Sequence, residues 1–435
     1  MSKFIAKPAN VLSGNIKIPG DKSISHRSVM MGSLATGITE VYGLLEGDDV
    51  VSTMNAFQSM GVEIHRNDEN IIIHGVGIDG LKKPKKSLYL GNSGTSMRLI
   101  SGILAAQEFD SELSGDESLS SRPMGRVISP LTKMGAIIES NDGKPPLKIK
   151  GGQKLKGLSY DSPIASAQVK SCILLAGLYA DGETCVSEPA PTRDHTESML
   201  KGFGYDVKVN NNRICLKGHG KLKAKKIQVP SDISSAAFFM VAASIAPKAD
   251  ITLESVNVNP TRTGVVDILK LMGANIDISN KREIGGELLA DIRIQSAELS
   301  GITIPEDLIP LAIDEFPVLF IAASCAKGET ILTGAKELRV KESDRIQVMA
   351  DGLMSLGVSC EVLEDGIVIK GGEYKQPSSV IKSHHDHRIS MSFAVASLRS
   401  KFNIEIDDVE NVRTSFPNFV ELANSAGMCI EEIYE

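Results

Sequence analysis

The sequence lacks the cysteine spacing of a disulfide framework or of a metal-binding motif. Its six cysteines are spread over 435 residues without a C-x-x-C pair, and no secretory signal is recognisable at the N-terminus. We therefore expect reduced thiols and a cytoplasmic protein. The six are Cys172, Cys185, Cys215, Cys325, Cys360 and Cys429.

Long apolar runs and an excess of positive charge are also missing. Apolar segments such as residues 236–243 end well before the roughly 18 consecutive apolar positions of a membrane helix. The formal net charge of −7 argues against a surface built for nucleic acid or for an anionic membrane. We expect neither partner, and any anion site must be a focused pocket.

The sequence does contain a sixfold internal repeat. Each copy opens with a polar start followed by a helix of small apolar residues, near positions 23, 92, 162, 231, 314 and 385. Successive starts are 69, 70, 69, 83 and 71 residues apart, so the fourth copy carries an insertion. A glycine that ends a second helix recurs at positions 61, 135, 204, 273, 357 and 427.

The repeat predicts the fold class. After the first five of these glycines, alternating residues around Asn, Asp or Gly turns indicate hairpins. The first helix of each copy is apolar on nearly every side, which predicts buried helices with the sheets outside. We predict an α/β fold of two similar domains, each of three helix-strand-helix-hairpin repeats: residues 20–229, and residues 1–19 with 230–435. The leading strand would supply the hairpin that is missing after Gly427.

Basic side chains collect near the polar starts, although the protein is acidic overall. They are Lys22, Arg27, Arg98, Arg122, Arg193, Lys341, Arg345 and Arg388. A single such charge is usually an ordinary solvated residue. Recurrence at equivalent repeat positions, beside helix N-termini that attract anions, favours an anion-binding cleft.

Motifs along nearly the whole chain resemble those of the EPSP synthases, or 5-enolpyruvylshikimate-3-phosphate synthases. They are PGDKSISHR, LGNSGTSMR, SRPM, SPIASAQ, TRDHTE, IDEFP, LRVKESDR, HDHR and TSFPNF. The resemblance implies the enolpyruvyl transferase fold and transfer of the enolpyruvyl group of phosphoenolpyruvate to the 5-hydroxyl of shikimate 3-phosphate, with release of phosphate. It implies no cofactor, no required metal and a monomer.

The resemblance also implies roles for the residues at matching positions. Shikimate 3-phosphate would contact Lys22, Ser23, Arg27, Ser166, Gln168, Arg193, Asp314 and Lys341. Phosphoenolpyruvate would contact Lys22, Gly94, Arg122, Gln168, Arg345 and Arg388, and bidentate guanidinium groups suit its phosphate and carboxylate. Lys22 would lie between the substrates, Asp314 would accept the 5-hydroxyl proton, and Glu342 would handle the proton at the methylene carbon.

The chain departs from part of the family's pattern. Many members have Lys where this chain has Thr414, preceded by Arg413, so a phosphate contact there is in doubt. The segments SAQ and TRDHTE resemble the second class of EPSP synthases, which includes members that tolerate the inhibitor glyphosate. A strongly tolerant form has Ala in place of Gly94, so we expect glyphosate to bind this chain.

Two other functions compete with this interpretation. A UDP-N-acetylglucosamine enolpyruvyl transferase would have Lys-Asn at positions 22 and 23 and a loop cysteine, whereas this chain has Lys22 and Ser23 and no cysteine before Cys172. A non-catalytic anion-binding protein would not need Asp314 and Glu342, because carboxylates weaken anion binding.

Two motifs that could bind a metal ion or a nucleotide are incomplete. The trio His384, His385 and His387 lacks the i, i+4 pairing and separate third ligand of a zinc site, and GNSG near Gly91 completes no nucleotide-binding loop.

Two anionic substrates in one cleft favour domain closure, which would expel water and strengthen their contacts.

Overall fold

The computed structural model describes residues 2–284 and 287–434, and the chain divides into two compact units. The N-terminal unit comprises Gly20–Val229 and Ile284–Glu287, and the C-terminal unit comprises Met1–Pro19, Pro230–Glu283 and Leu288–Glu435. Met1, Gly285, Gly286 and Glu435, which the predicted second domain includes, lie outside the described residues.

Two leading strands precede the N-terminal unit, β1 (Ser2–Lys7) and β2 (Val11–Ile16). The helices of this unit are α1 (Lys22–Leu34), α2 (Asp48–Ser59), α3 (Gly94–Leu104), α4 (Glu117–Ser121), α5 (Gly125–Met134), α6 (Ala167–Gly177) and α7 (His195–Gly202). Its strands are β3 (Ala35–Tyr42), β4 (Glu63–Arg66), β5 (Asn70–Val76), β6 (Leu88–Tyr89), β7 (Ser111–Ser114), β8 (Ile138–Asn141), β9 (Lys144–Ile149), β10 (Ser159–Asp161), β11 (Glu183–Ser187), β12 (Val207–Asn210), β13 (Arg213–Lys217), β14 (Leu222–Lys223) and β15 (Lys226–Gln228).

The C-terminal unit continues the same alternation. Its α-helices are α8 (Ile233–Ile245), α9 (Gly264–Leu271), α10 (Phe316–Cys325), α11 (Arg345–Ser355), α12 (His387–Ala396) and α13 (Phe419–Ser425), and short 3-10 helices cover Glu306–Leu308, Lys336–Val340, Ser397–Arg399 and Glu410–Thr414. Its strands are β16 (Lys248–Asn257), β17 (Asn275–Ile284), β18 (Glu287–Gln295), β19 (Glu329–Leu332), β20 (Ser359–Val362), β21 (Ile367–Lys370), β22 (Ile381–Lys382), β23 (Ile404–Asp407) and β24 (Cys429–Tyr434).

Six buried helices form the centre of the two units. They are the first helices of the repeats, α1, α3, α6, α8, α10 and α12, and every residue of α8 is buried. Each unit has its own apolar core. The predicted α/β fold with buried helices is confirmed, because a helix that is apolar all round has no face suited to water.

The second helix of each repeat ends at a glycine in the left-handed region. All six marker glycines have φ between 81° and 112°. After α5, the Gly135 N–H donates to the Thr132 carbonyl and the Ala136 N–H donates to the Leu131 carbonyl, both at 3.0 Å. Glycine adopts this conformation without the steric penalty that a side chain would bring, so it stops the helix and turns the chain into the hairpin.

In the described part of the chain, each unit carries three sheets of three to five strands, one for each repeat. The last sheet has the order β22-β23-β1-β24, in which β1 pairs antiparallel with β24 from Ser2↔Tyr434 to Lys7↔Cys429. The leading strand therefore completes the sixth hairpin, as predicted. The insertion of the fourth repeat is the long hairpin of β17 and β18, with ten and nine residues.

One expectation about the cysteines was wrong. Cys185 in β11 lies directly opposite Cys215 in β13, with their Cα atoms 4.1 Å apart, and the two form a disulfide. Their separation of 30 residues gave no sign of this pairing, because strand register decides which residues face each other. The other four cysteines are free, and burial raises the pKa of the Cys172 thiol to about 12.

Among residues 2–284 and 287–434, no helix has the length and apolar character needed to cross a membrane. The two most apolar helices, α8 and α10, have only thirteen and ten residues. They belong to the core of the C-terminal unit.

Helices α3 and α6 approach each other closely at Gly102. A Cβ atom at this position would lie 2.2 Å from the carbonyl oxygen of Cys172, which belongs to the backbone and cannot move away alone. Glycine is unfavourable inside a helix by about 1 kcal/mol relative to alanine. The close contact therefore explains why glycine occupies this position.

We predict that Gly102→Ala destabilises the protein by about 1–3 kcal/mol, because the added methyl overpacks the core. The midpoint of urea unfolding measures this change. Gly125→Ala is the matched control, since a Cβ there meets no atom within 4 Å, and it should change stability by less than about 1 kcal/mol. Equal midpoints for the two variants would contradict the packing argument.

Candidate active site

The start of α1 brings three predicted site residues together in the N-terminal unit. Asp21 caps the helix, its carboxylate accepting the Ile24 N–H at 2.9 Å. The helix begins at Lys22, whose ammonium pairs with Asp49. Ser23 follows, and its carbonyl accepts a hydrogen bond from the Arg27 guanidinium at 2.9 Å.

Arg27 is 3% exposed and is held by uncharged acceptors. Its guanidinium donates to Thr196 Oγ1 at 2.7 Å and to Ser171 Oγ at 2.8 Å. Burial lowers the pKa of Arg27 to about 10, Glu197 opposes that shift, and the positive charge of Arg193 adds to it. The group stays cationic at neutral pH, and neutral hydrogen-bond partners leave that charge for a ligand.

A second basic cluster surrounds the start of α3. Ser93 caps this helix, which begins at Gly94. A Cβ atom at Gly94 would lie 3.0 Å from Arg98 Nη1 and 3.2 Å from Arg122 Nη1, so the two guanidinium groups lie against the bare glycine backbone. Arg98 also donates to Gln168 Oε1 at 2.6 Å.

The structure therefore joins Gly94, Arg122 and Gln168, which lie in three separate sequence motifs. Arg122 is 8% exposed and donates to the side-chain oxygens of Asn92 and Ser118. An amide oxygen and a hydroxyl oxygen thus accept two hydrogen bonds from this guanidinium. The arrangement suits a small anion at the start of α3.

The remaining predicted residues of this unit lie at the starts of α6 and α7. Ser166 is the N-cap of α6, and Gln168 donates from its amide nitrogen to Thr95 Oγ1 at 3.0 Å. Arg193 lies two residues before α7 and is half-buried. Its effect on the pKa of Arg27 indicates that the two positive groups share one region.

In the C-terminal unit, Arg345 is surrounded by three carboxylates. Its side chain is 1% exposed, and its nitrogens lie 2.8 Å from Asp386 Oδ2, 2.6 Å from Glu342 Oε2 and 3.4 Å from Asp314 Oδ1. Burial alone lowers the pKa of Arg345, but Asp386, Glu342 and Asp314 outweigh it and raise the pKa above its ordinary value. Arg345 therefore fixes the positions of both predicted catalytic carboxylates.

Asp314 lies just before α10, as predicted, but it does not cap the helix. The N-cap is Glu315, and no side-chain capping bond is formed there. Asp314 Oδ1 instead lies 3.3 Å from Lys341 Nζ, and its side chain is 15% exposed. An incompletely buried carboxylate held between a lysine and an arginine is a suitable proton acceptor.

Arg388 contrasts with Arg27, Arg122 and Arg345, whose guanidinium groups are held by protein partners. Its backbone N–H donates to Asp386, which caps α12, at 3.0 Å. Within the described part of the chain, its guanidinium makes no hydrogen bond or ion pair with a protein group. This half-buried cation at a helix N-terminus is available to an anionic ligand.

Several residues that support the site were not predicted. Asp386 belongs to the HDHR motif and Thr196 to TRDHTE, but neither was given a role. The buried Lys170 was missed as well; its ammonium lies 2.7 Å from both Glu188 and Glu197. A lysine inside the apolar SCILL helix was the available signal, because a buried charge requires partners.

Thr414, which stands where many members of the family have Lys, makes its contacts locally, as does the neighbouring Arg413. Thr414 Oγ1 donates to the Asn411 carbonyl at 2.7 Å within a short 3-10 helix. The neighbouring Arg413 donates to the Tyr434 hydroxyl, and its guanidinium carbon lies 5.6 Å from the centre of that ring. These contacts occupy both side chains within the C-terminal unit.

Comparisons with known proteins identify the family of this chain. The sequence profile of the family described as EPSP synthase (3-phosphoshikimate 1-carboxyvinyltransferase) matches residues 6–422. Proteins named 3-phosphoshikimate 1-carboxyvinyltransferase from Ruthia magnifica and Hydrogenovibrio crunogenus are 74% and 60% identical, and the alignments cover 99% of this chain and 99% and 98% of theirs. A solved EPSP synthase from Acinetobacter baumannii superposes with a TM-score of 0.88 at 58% identity, covering 100% of both chains. The chain therefore belongs to the EPSP synthase family.

Proposed function

We propose that this chain transfers the enolpyruvyl group of phosphoenolpyruvate to the 5-hydroxyl of shikimate 3-phosphate, releasing inorganic phosphate. Family membership across the whole chain supports the reaction. The observation that carries the chemistry is the ion-pair cluster of Arg345, which holds Asp314 and Glu342 beside one cation. The same activity belongs to the shikimate pathway of aromatic amino-acid biosynthesis.

The proposal assigns phosphoenolpyruvate to the basic groups at the starts of α3 and α12. Arg122 beside Gly94, together with Arg388, would bind the phosphate and carboxylate, and Gln168 and Lys22 would complete the contacts. The uncharged acceptors Asn92 and Ser118 support this assignment for Arg122. Arg345, whose nitrogens already pair with three carboxylates, would act at this site mainly by holding Asp314 and Glu342 in position.

Shikimate 3-phosphate is assigned to the starts of α1, α6 and α7. Its phosphate would meet Ser23, Ser166 and Arg193, with Gln168 and Lys22 nearby. Arg27 supports that site from a buried position, held by Thr196 and Ser171. Asp314 and Lys341, 3.3 Å apart, would contact the ring hydroxyl that reacts.

The proposed reaction is an addition followed by an elimination. In the addition, Asp314 accepts the proton of the 5-hydroxyl while the hydroxyl oxygen bonds to C2 of phosphoenolpyruvate. Glu342 delivers a proton to the methylene carbon, which becomes a methyl. In the elimination, that methyl gives a proton back to the Glu342 carboxylate, and the carbon–oxygen bond to phosphate breaks with its electron pair leaving on the phosphate. The proton held by Asp314 leaves with the phosphate, and the enol ether remains. Lys22, between the two substrates, would stabilise the negative charge that develops on the phosphate.

The proposal also includes the organisation of the molecule. We take the two compact units to be the two three-repeat domains predicted at residues 20–229 and at residues 1–19 with 230–435. Three sheets in each unit support this interpretation. A monomer acting in the cytoplasm, without a cofactor and with domain closure around the substrates, remains our expectation for the working enzyme.

The central prediction concerns phosphate release from phosphoenolpyruvate. We expect release that depends on shikimate 3-phosphate, measured with a coupled phosphate assay. UDP-N-acetylglucosamine in its place should give none. Release with the nucleotide sugar alone would assign the chain to the related transferase, and no release with either acceptor would favour a non-catalytic anion-binding protein.

Asp314→Asn should lower kcat about 100-fold or more and change the KM values far less, because the amide keeps the shape but cannot accept the proton. Steady-state kinetics with both substrates separate the two effects. Asp307→Asn is the matched control, an exposed aspartate in a nearby 3-10 helix, and it should behave like the unchanged enzyme. A large rise in KM with unchanged kcat would indicate that Asp314 only binds substrate.

Glyphosate should inhibit the unchanged enzyme in competition with phosphoenolpyruvate, and Gly94→Ala should weaken that inhibition about tenfold or more. The added methyl at 3.0 Å from Arg98 and 3.2 Å from Arg122 would displace these groups by a few tenths of an ångström and reduce the space beside them. Gly372→Ala, where a Cβ meets no atom within 4 Å, is the control and should leave the inhibition constant unchanged. Equal constants for all three enzymes would contradict this placement of Gly94.

A further inference from the structure

The hairpin of β4 and β5 places three metal-binding side chains on one face of its sheet. Glu63 and His65 are two residues apart in β4, so they point to the same side. His74 in β5 lies directly opposite Glu63 in the antiparallel register. None of the three belongs to the candidate active site.

The ligand atoms of these residues converge. His65 Nε2 lies 2.6 Å from Glu63 Oε1, and the rings of His65 and His74 are perpendicular with centres 5.5 Å apart. One ligand atom from each residue lies within 4.8 Å of the others. Donor atoms on one zinc ion at about 2.0–2.2 Å can be up to about 4.4 Å apart, so small side-chain rotations complete the geometry.

The rest of the hairpin fixes the register of the two strands and leaves the three side chains accessible to an ion. Ile64 and Ile73 form the cross-strand pair on the inner face, and Ile73 is fully buried, which anchors the register. Arg66, the nearest cation along β4, is held by Glu46 at 2.9 Å. The Glu63 and His65 side chains are 63% and 52% exposed, so an ion can reach them directly.

We propose that Glu63, His65 and His74 form a surface site for a divalent transition metal ion that prefers imidazole, with Zn²⁺ as the representative ion. Two imidazoles and one carboxylate are a ligand set for Zn²⁺, Ni²⁺ or Cu²⁺ rather than for Mg²⁺ or Ca²⁺. Water would fill the remaining coordination positions. The bound ion would link β4 to β5 and stabilise the hairpin.

The other groups of metal-type ligands in the described residues are weaker candidates. Glu183 lies near Cys185 and Cys215, but that pair is a disulfide and offers no thiolate. His219 Nε2 lies 2.9 Å from Asp181 Oδ1, but among the described residues His219 belongs to no cluster of three possible metal ligands. This exposed His–Asp pair is therefore a matched control for the two-histidine site.

The test is calorimetric titration of Zn²⁺ into chelator-treated protein, in a Cys429→Ser background that removes the exposed thiol. We expect one strong site per chain. His65→Ala and His74→Ala should each weaken binding about tenfold or more, and His219→Ala should leave it unchanged. Replacing Zn²⁺ with Co²⁺ should give visible absorption bands that the His65→Ala and His74→Ala variants lack.

Phosphate release dependent on shikimate 3-phosphate should stay unchanged in the His65→Ala and His74→Ala variants, which also shows that they fold. Zn²⁺ binding of equal strength in the double His65→Ala, His74→Ala variant would overturn the proposal, because the ion would then bind elsewhere. Absence of saturable Zn²⁺ binding to the Cys429→Ser protein would also overturn it, leaving the cluster as an exposed ion pair.

Discussion

Burial of the six first helices is the constraint on which the rest of the structure depends. A helix surrounded by apolar contacts must still satisfy the N–H groups of its first turn. Five of the six helices do so with a capping side chain, and the caps are Asp21, Ser93, Ser166, Asp232 and Asp386. The sixth, α10, has proline in its first turn instead. Polar residues are therefore required at the helix starts by the fold itself, and the proposed chemistry uses the same positions.

Buried charge is managed differently in the two units. In the N-terminal unit, the hydrogen-bond acceptors of Arg27 are uncharged, so its positive charge is preserved. In the C-terminal unit, Arg345 is paired with Asp386, Glu342 and Asp314, and these ion pairs hold the three carboxylates in position. Removing one partner of such a buried pair would leave an uncompensated charge in the interior. The first arrangement suits anion binding and the second suits proton transfer.

His26 is an uncharged histidine near the start of α1, close to the positive charges of Lys22 and Arg27. It is fully buried in α1, and its Nδ1 lies 2.8 Å from Thr53 Oγ1. Burial lowers its pKa well below the ordinary value, and the charges of Lys22 and Arg27 lower it further. The imidazole is therefore neutral at physiological pH. It supports the helix start through hydrogen bonds without adding a third positive charge.

Much of the architecture was determined by the sequence alone. The repeat spacing, the apolar helices and the six marker glycines reflect local requirements: burial of an apolar helix and a left-handed residue at a helix end. The basic candidate residues were also identified there, because charge at recurring helix starts is visible from the sequence. The other candidate residues, and the roles of all of them, came from the resemblance of the motifs to those of a known family.

Only the tertiary structure decided which of these residues share a partner. Strand register paired Cys185 with Cys215 and placed His74 opposite Glu63, although about thirty and eleven residues separate the members of each pair. Packing between helix starts joined Asp386 to Arg345 and Lys170 to Glu197. These contacts depend on the relative position of distant segments, and sequence periodicity describes each segment separately.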